Sequence, residues 1–258
     1  MTEYVEPSAP KRLLQWIQQQ AGISRRKAQE LIAAGEVSVD GRAATDPFAS
    51  ISPQHVRRVA LRGHPLSLAP IEPRVYRFHK PTGMLCSNDD RFSGNTVGRI
   101  LRAEGFIGYA WAGRLDQDAE GLLVVTNHGG LVNTLTHPRY EVEKTYHVWL
   151  RALPPRSRMT RVFASMQDGV LDRGDRLRVR SATVAGRPPY VRVTLTEGKK
   201  HEVKRLFAHF DLEIARLLRV SLGPIALGSL APEHIERVEP AVETPLLAQA
   251  DASVQPET

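Results

Sequence analysis

The sequence predicts an α+β protein built as two unequal domains. Three observations carry this reading. The proline-bearing stretch Ala69-Pro70-Ile71-Glu72-Pro73 stiffens the chain and marks a boundary. Before it, two short helices lead into a strand and a tight turn. After it, strands of period two are interleaved with short amphipathic helices. The 258 residues are enough for one large domain or two unequal ones.

Bulk composition narrows the function classes. Hydrophobic content of 41% with 24% charged residues fits a soluble globular chain. Cys86 stands alone, which excludes an internal disulfide framework and any multi-cysteine metal site. No apolar run reaches membrane-spanning length and the N-terminus lacks a signal pattern, so a cytoplasmic location without membrane attachment is expected. The net charge of +7 is unevenly spread. Residues 231–258 hold six acids against Arg237 alone, a net −5 that leaves +12 on the rest. A basic body points to a polyanion such as nucleic acid, or more blandly to a well-solvated surface.

Residues 1–10 have little apolar content and are expected to form a disordered arm. Leu13, Leu14 and Ile17 stand at helical spacing and the helix ends near Gly22. Ser24 is a good N-cap for a second helix, with Ala28, Leu31 and Ile32 on one face and Gly35 past its end. Val37-Ser38-Val39 then enters an Asp40-Gly41 turn. Arg25, Arg26 and Lys27 occupy the first turn of that second helix, where the macrodipole disfavours cations. Beside unpaired backbone N–H groups they make a phosphate site. The bland account is three solvated side chains, each tolerating a cost under about 1 kcal/mol. Ser-Arg-Arg-Lys followed by Ala-Gly-Glu-Val-Ser-Val-Asp-Gly-Arg resembles an S4 RNA-binding domain over residues 11–68. The resemblance implies that Arg25, Arg26, Lys27 and Arg42 face RNA.

The larger domain opens with Val75 to His79 as a strand, turned by Lys80-Pro81-Thr82-Gly83. Asp89 and Asp90 fall in a polar loop without a metal-ligand pattern and are read as solvated. Thr96 to Arg102 reads as a short helix. Next comes an acidic, glycine-bounded loop from Gly113 to Gly121, holding Asp116, Asp118 and Glu120, which runs into the buried strand Leu122-Leu123-Val124-Val125. Leu131 to Leu135 reads as helical and Glu143 to Leu150 as a strand, with Tyr146 and Val148 opposite Thr145, His147 and Trp149. Met159 to Met166 reads as a helix. Arg176 to Arg180 and Tyr190 to Leu195 each read as a strand with a polar face. Val203, Leu206, Phe207 and Phe210 mark a buried helix face, with Lys199, Lys200, His201 and Lys204 crowding its start as possible phosphate contacts or partners for a carboxylate. The acidic segment 239–258 is expected to be a disordered tail, unstructured from about Val242.

Several chemistries lack their residues. There is no phosphate loop, nucleophile elbow or Rossmann glycine pattern, and the nine histidines show no zinc-ligand spacing. A cofactor-free reaction using a carboxylate remains. Asp116 and Asp118 could act as a pair, and an Asp beside glycines is also a common turn cap.

Gly-Arg-Leu-Asp followed by Gly-Leu-Leu-Val-Val-Thr-Asn resembles the signature of the RsuA/RluA pseudouridine synthases. Further motifs agree in order: His79 to Gly83 with Cys86-Ser87, Lys144-Thr145-Tyr146, Glu197 to Arg205, and Leu217 to Val220 with Leu222-Gly223. The S4 domain ahead of them resembles the RsuA-type branch that modifies ribosomal RNA. The resemblance implies a synthase domain over 74–238 whose mixed, mainly antiparallel sheet is flanked by helices. It implies that Asp116 is the essential carboxylate, attacking covalently or abstracting a ribose proton, with no cofactor and no metal. It implies that Lys204 pairs with Asp116, Tyr146 stacks on the target base, Leu217 forms an apolar wall and Arg114 lies beside the flipped nucleotide. Lys80, Lys199 and Lys200 are expected to contact RNA. The implied partner is ribosomal RNA, free or in an assembly intermediate, met by a monomer, with 23S favoured over 16S rRNA. Ala119, Glu202 and Lys204 depart from the Thr or Ser, Gln and Arg common in that family. The rival expectations are a non-catalytic RNA-binding protein that kept the fold and an RNA N-glycosidase.

Overall fold

Leu13, Leu14, Trp16 and Ile17 are buried together on one face of a nine-residue helix. That burial, not intrinsic propensity, holds so short a helix, at about 1.5–3 kcal/mol per large apolar side chain. A computed structural model describes residues 11–52, 55–69 and 71–253, which form two compact units. The expected arm over residues 1–10 lies outside the described residues.

The first unit comprises residues up to 73 together with 105–109. It begins with β1 (Lys11–Arg12), α1 (Leu13–Ala21) and α2 (Arg25–Ala33). The chain leaves α1 through Gly22 at φ 62°, a left-handed conformation that glycine adopts without strain. Ser24 Oγ accepts from Lys27 N at 3.2 Å and caps α2. Then come β2 (Val37–Val39), β3 (Arg42–Ala43), β4 (Ser50–Ile51), β5 (Val59–Leu61) and β6 (His64–Leu66). Asp40 and Gly41 both take positive φ, as a tight hairpin between β2 and β3 requires. The sheet order is β3-β2-β5-β6, and Val37 and Val59 join the α1 and α2 side chains in one core.

The second unit holds β7 (Val75–Lys80), α3 (Val97–Ala103), β8 (Ala110–Ala112), β9 (Glu120–Thr126), α4 (Gly129–Thr136) and β10 (Lys144–Leu150). It continues with α5 (Arg156–Asp168), β11 (Val170–Asp172), β12 (Asp175–Leu177), β13 (Ser181–Ala185) and β14 (Tyr190–Leu195). It closes with α6 (Glu202–His209), β15 (Ile214–Leu222), β16 (Ile225–Ala226), β17 (Ile235–Arg237) and α7 (Pro240–Ala252). A nine-stranded sheet runs β13-β14-β10-β15-β9-β7-β17, with β16 added to β15 and β8 to β9. Only β15 and β9 pair in parallel, so the sheet is mixed and mainly antiparallel. Gly121 sits at that junction with φ 110°, where a Cβ would come within 2.4 Å of the Arg219 carbonyl oxygen. Only glycine fits so close a backbone approach.

Two expectations are corrected here. The predicted strand Arg176–Arg180 is broken. Residues up to Leu177 pair in the β11–β12 hairpin, and the next strand starts at Ser181. Leu177 and Val179 are buried while Arg176, Arg178 and Arg180 are exposed, so the alternation is real though the ladder is interrupted. The segment expected to be disordered from Val242 is α7. Its Leu246 and Ala250 pack with Leu131, Leu135 and Val75, and its buried Glu243 accepts from Val75 N at 2.7 Å and from Arg237 at 2.7 Å. The acidic composition concealed an apolar face at helical spacing.

Candidate active site

The loop from Gly113 to Ala119 is shaped from beneath by the segment after β7. Gly83 N donates to Gln117 O at 2.7 Å, Gln117 Nε2 returns to Gly83 O at 3.2 Å, and Thr82 Oγ1 donates to Asp118 O at 3.3 Å. Leu115 N donates to Cys86 Sγ at 3.4 Å. At the centre is Lys80, fully buried, whose Nζ donates to Pro81 O at 2.9 Å, Gln117 O at 3.3 Å and Ala119 O at 2.6 Å. Lys80 therefore does not contact RNA as expected. Its three donors are spent on backbone carbonyls, so it fixes the loop that carries Asp116. Burial pushes its pKa below the ordinary lysine value, against the attraction of Cys86 and the loop acids.

Asp116 leaves this braced loop at the mouth of a cleft of about 450 Å³. Its Oδ2 lies 3.0 Å from Lys204 Nζ and its Oδ1 3.3 Å from His201 Nε2. His201 takes φ 54° at the N-terminus of α6, and α6 is held by buried Val203, Leu206 and Phe207. Lys204 bridges Asp116 and Asp118. Burial works against the Lys204 ammonium, but the hydrogen bonds with Asp118 and Asp116 outweigh it and raise its pKa above the ordinary lysine value. The hydrogen bond from Lys204 lowers the Asp118 pKa, against partial burial. Asp118 thus shares this lysine with Asp116, and Glu120 pairs with Arg216.

Tyr146 lines the cleft from β10, 8% exposed, paired in register with Val193 of β14 and Arg219 of β15. Leu135, Leu195 and Leu222 supply its apolar lining. Leu217 does not line the cleft; it lies two residues along the strand from Arg219, opposite Val148 on the same sheet face. Arg114 and Lys200 line the cleft and are exposed. Lys199 also lines it, but its ammonium is engaged by Glu197 and by Arg176 O at 2.7 Å.

Three further cleft residues lie within the motifs but are given no role by the sequence. Arg219 is 2% exposed; its Nε donates to Leu122 O at 2.8 Å and its Nη1 to Arg114 O at 3.4 Å, so it ties the Asp116 loop to β9. Its strand, Ile-Ala-Arg-Leu-Leu-Arg-Val-Ser-Leu, does not alternate, so no local signal marks its burial. Lys144 donates to Val142 O at 3.0 Å, and burial, reinforced by Arg219, lowers its pKa. Glu202 accepts from Lys199 N at 2.9 Å, and burial raises its pKa. Among the described residues no group of three or more His, Cys, Asp or Glu could hold a metal, and no helix is long and apolar enough to cross a membrane. Asp89 pairs with Arg102 at 2.5 Å, and Asp90 accepts from Phe92 N and Ser93 N, both at 2.9 Å.

In the first unit, Arg25, Arg26 and Lys27 are all exposed at the start of α2, and Arg42 is exposed on β3. Arg26 and Lys27 reach Glu30 of the same helix at 3.2 and 3.5 Å.

A site built from a braced aspartate, a lysine and a buried tyrosine, in a chain that also carries a basic module, has parallels in known proteins. Residues 74–209 match the family model described as RNA pseudouridylate synthase, and residues 11–48 match the S4 domain. Ribosomal small subunit pseudouridine synthase A of Salmonella typhimurium is 33% identical over 94% of this chain and 99% of its own length. The Escherichia coli protein of the same name is 34% identical over 86% of this chain and 93% of its own. A crystal structure of a pseudouridylate synthase superposes with a TM-score of 0.60 at 26% identity, covering 91% of this chain and 99% of that one. Those names give no support to the expected preference for 23S rRNA. The fold, the S4 module and these relatives together show that the chain belongs to the RNA pseudouridine synthase family and is an isomerase of that class.

Proposed function

We propose that this protein converts a specific uridine of small-subunit ribosomal RNA to pseudouridine, with Asp116 as the essential carboxylate. The observation that carries the reading is Asp116 held between Lys204 and His201 at the mouth of a cleft lined by Tyr146. The small-subunit target rests on the names of the relatives that specify a subunit. In the reaction the N1–C1′ bond breaks, the uracil turns and C5 bonds to C1′. The C5 proton is lost and N1 gains one, so atoms balance within the substrate and no redox partner is required. A base inside a helix is out of reach, so the nucleotide leaves its stack and Tyr146 offers a replacement surface. Asp116 then acts on the ribose or uracil as a nucleophile or takes a ribose proton, and either role requires a carboxylate fixed in position.

The test is to incubate the protein with unmodified small-subunit rRNA and map pseudouridine at single-nucleotide resolution. One modified uridine is expected with the wild-type protein. Asp116→Ala should lose at least about 10³-fold in rate. Equal activity of the two proteins, or release of free uracil with an abasic site, defeats the proposal.

A further inference from the structure

Strand alternation divides the side chains of β10 and β14 between two faces of the sheet. Tyr146, Val148, Val191 and Val193 point to the cleft side and are buried. His147, Trp149, Tyr190 and Arg192 point to the other side, where the first three are half-buried and Arg192 is exposed. On that second face the rings form one cluster. His147 stacks on Tyr190 with centroids 4.0 Å apart and planes 23° from parallel. Tyr190 lies 5.3 Å from Trp149, and the Arg216 guanidinium sits 4.6 Å over the Trp149 ring. Glu120 pairs with Arg216 and holds it there. Burial, with Arg192 second, lowers the His147 pKa, so the ring that faces Tyr190 is neutral near pH 7.

We propose that this face of β10, β14 and β15 is a second RNA contact, one that binds a single-stranded segment by stacking bases on Trp149 and Tyr190 beside the Arg192 and Arg216 charges. Cross-strand aromatic pairs do add to sheet stability, but these strands already bury their other face. Stability alone gives no reason to set two cations among the rings. Flat rings interleaved with guanidinium groups suit nucleobases and phosphates, because every base offers a π-face and every linkage an anion. A protein partner would call for an aliphatic patch in place of exposed Arg192. The charge agrees as well: residues 1–230 carry +12, and Arg192 has no acidic partner among the described residues.

The proposal is independent of the reaction assigned to Asp116, and its test reads binding alone. A fluorescent dodecamer of oligocytidylate, which offers the cleft no uracil, is titrated into the full-length protein at low salt. Trp149→Ala and Tyr190→Ala should each weaken binding by roughly tenfold, while Trp149→Phe and Tyr190→Phe keep most of it. Arg192→Glu, an exposed substitution that leaves the rings in place, should weaken it as well and guards against loss of fold in the ring variants. Photocrosslinking with 5-iodocytidine in the same oligomer should attach RNA to the peptides bearing Trp149 or Tyr190. Unchanged affinity in Tyr190→Ala and Arg192→Glu overturns the proposal. So does crosslinking confined to other peptides.

Discussion

The helices α2 and α6 each carry a run of basic residues at or just before the N-terminus, against the helix dipole, and the structure treats the two runs in opposite ways. At α2, Arg25, Arg26 and Lys27 stand in solvent, and the acid that meets two of them, Glu30, is the helix's own. At α6, the lysines are matched by acids outside the helix, Lys199 by Glu197 and Lys204 by Asp116 and Asp118, and His201 Nε2 lies 3.3 Å from Asp116 Oδ1. Arg205, one residue on, is matched by Asp172 and Asp175. The same sequence pattern thus serves two ends. Where the acids are absent, the cations remain available to an external polyanion. Where they are present, the cations fix a carboxylate in place. The comparison teaches that a basic helix start is informative only once its counter-charges are known.

The sharpest way to break the contrast is to remove the cation that holds the carboxylate. Lys204→Ala should lower the single-turnover rate of pseudouridine formation by about 10²–10³-fold, the usual cost of deleting one preorganised charge at a reacting centre. Lys204→Arg should retain most of the rate, since a guanidinium can still bridge two carboxylates. Affinity for rRNA should move little in either variant. An Ala variant with wild-type rate would mean that Asp116 is positioned by its loop alone.

The converse experiment reverses the open cluster. Arg25, Arg26 and Lys27 changed together to Glu should weaken rRNA binding and reduce the slope of log K against log salt by about 2 or more. At saturating RNA the rate should stay near wild type, because no α2 residue lines the cleft. An unchanged slope would reduce the α2 cations to ordinary surface charge and erase the distinction between the two helices.

How much of this was legible in the sequence depends on whether a feature is local. The Ser24 cap, the Asp40-Gly41 hairpin, the β9 strand and the α6 apolar face follow from spacing, and each is present. The Asp116–Lys204 contact joins residues far apart in the chain, and a resemblance supplied it. Lys80 was misread because a lysine after a strand is usually exposed; nothing nearby says that three carbonyls will close over it. Arg219 was overlooked for a related reason, since its partners Leu122 and Arg114 come from distant strands and loops. The acidic charge of the tail conceals its helical periodicity. Glu243, Leu246 and Ala250 recur at helical spacing, and Glu243 is itself buried on the Val75 amide.

The smallest expected effect concerns the outer half of the α6 network. Asp118 has its pKa lowered below the ordinary 3.8 by the Lys204 hydrogen bond, and Lys204 has its own raised above 10.5. A lowered acid contributes stability above pH 3.8 that is lost as pH falls through its folded value. A raised lysine contributes stability below pH 10.5 that is lost as pH rises through its folded value. The pair is therefore fully effective between those limits and fades outside them. Asp118 is largely exposed, with 74% of its side chain accessible, so solvent screens the interaction and the shift in Tm should be only one or two degrees, on the order set by exposed pairs. The difference in Tm between wild type and Asp118→Asn should be constant across neutral pH and fade in acid, as the pH falls below 3.8 and through the lowered folded value. The open α2 cations, matched only by Glu30 of their own helix, should show no comparable convergence when Arg25 is replaced by Gln. A difference at Asp118 that persists in acid would assign that residue a role in shaping the loop backbone, leaving Asp116 as the only carboxylate that the α6 lysine serves.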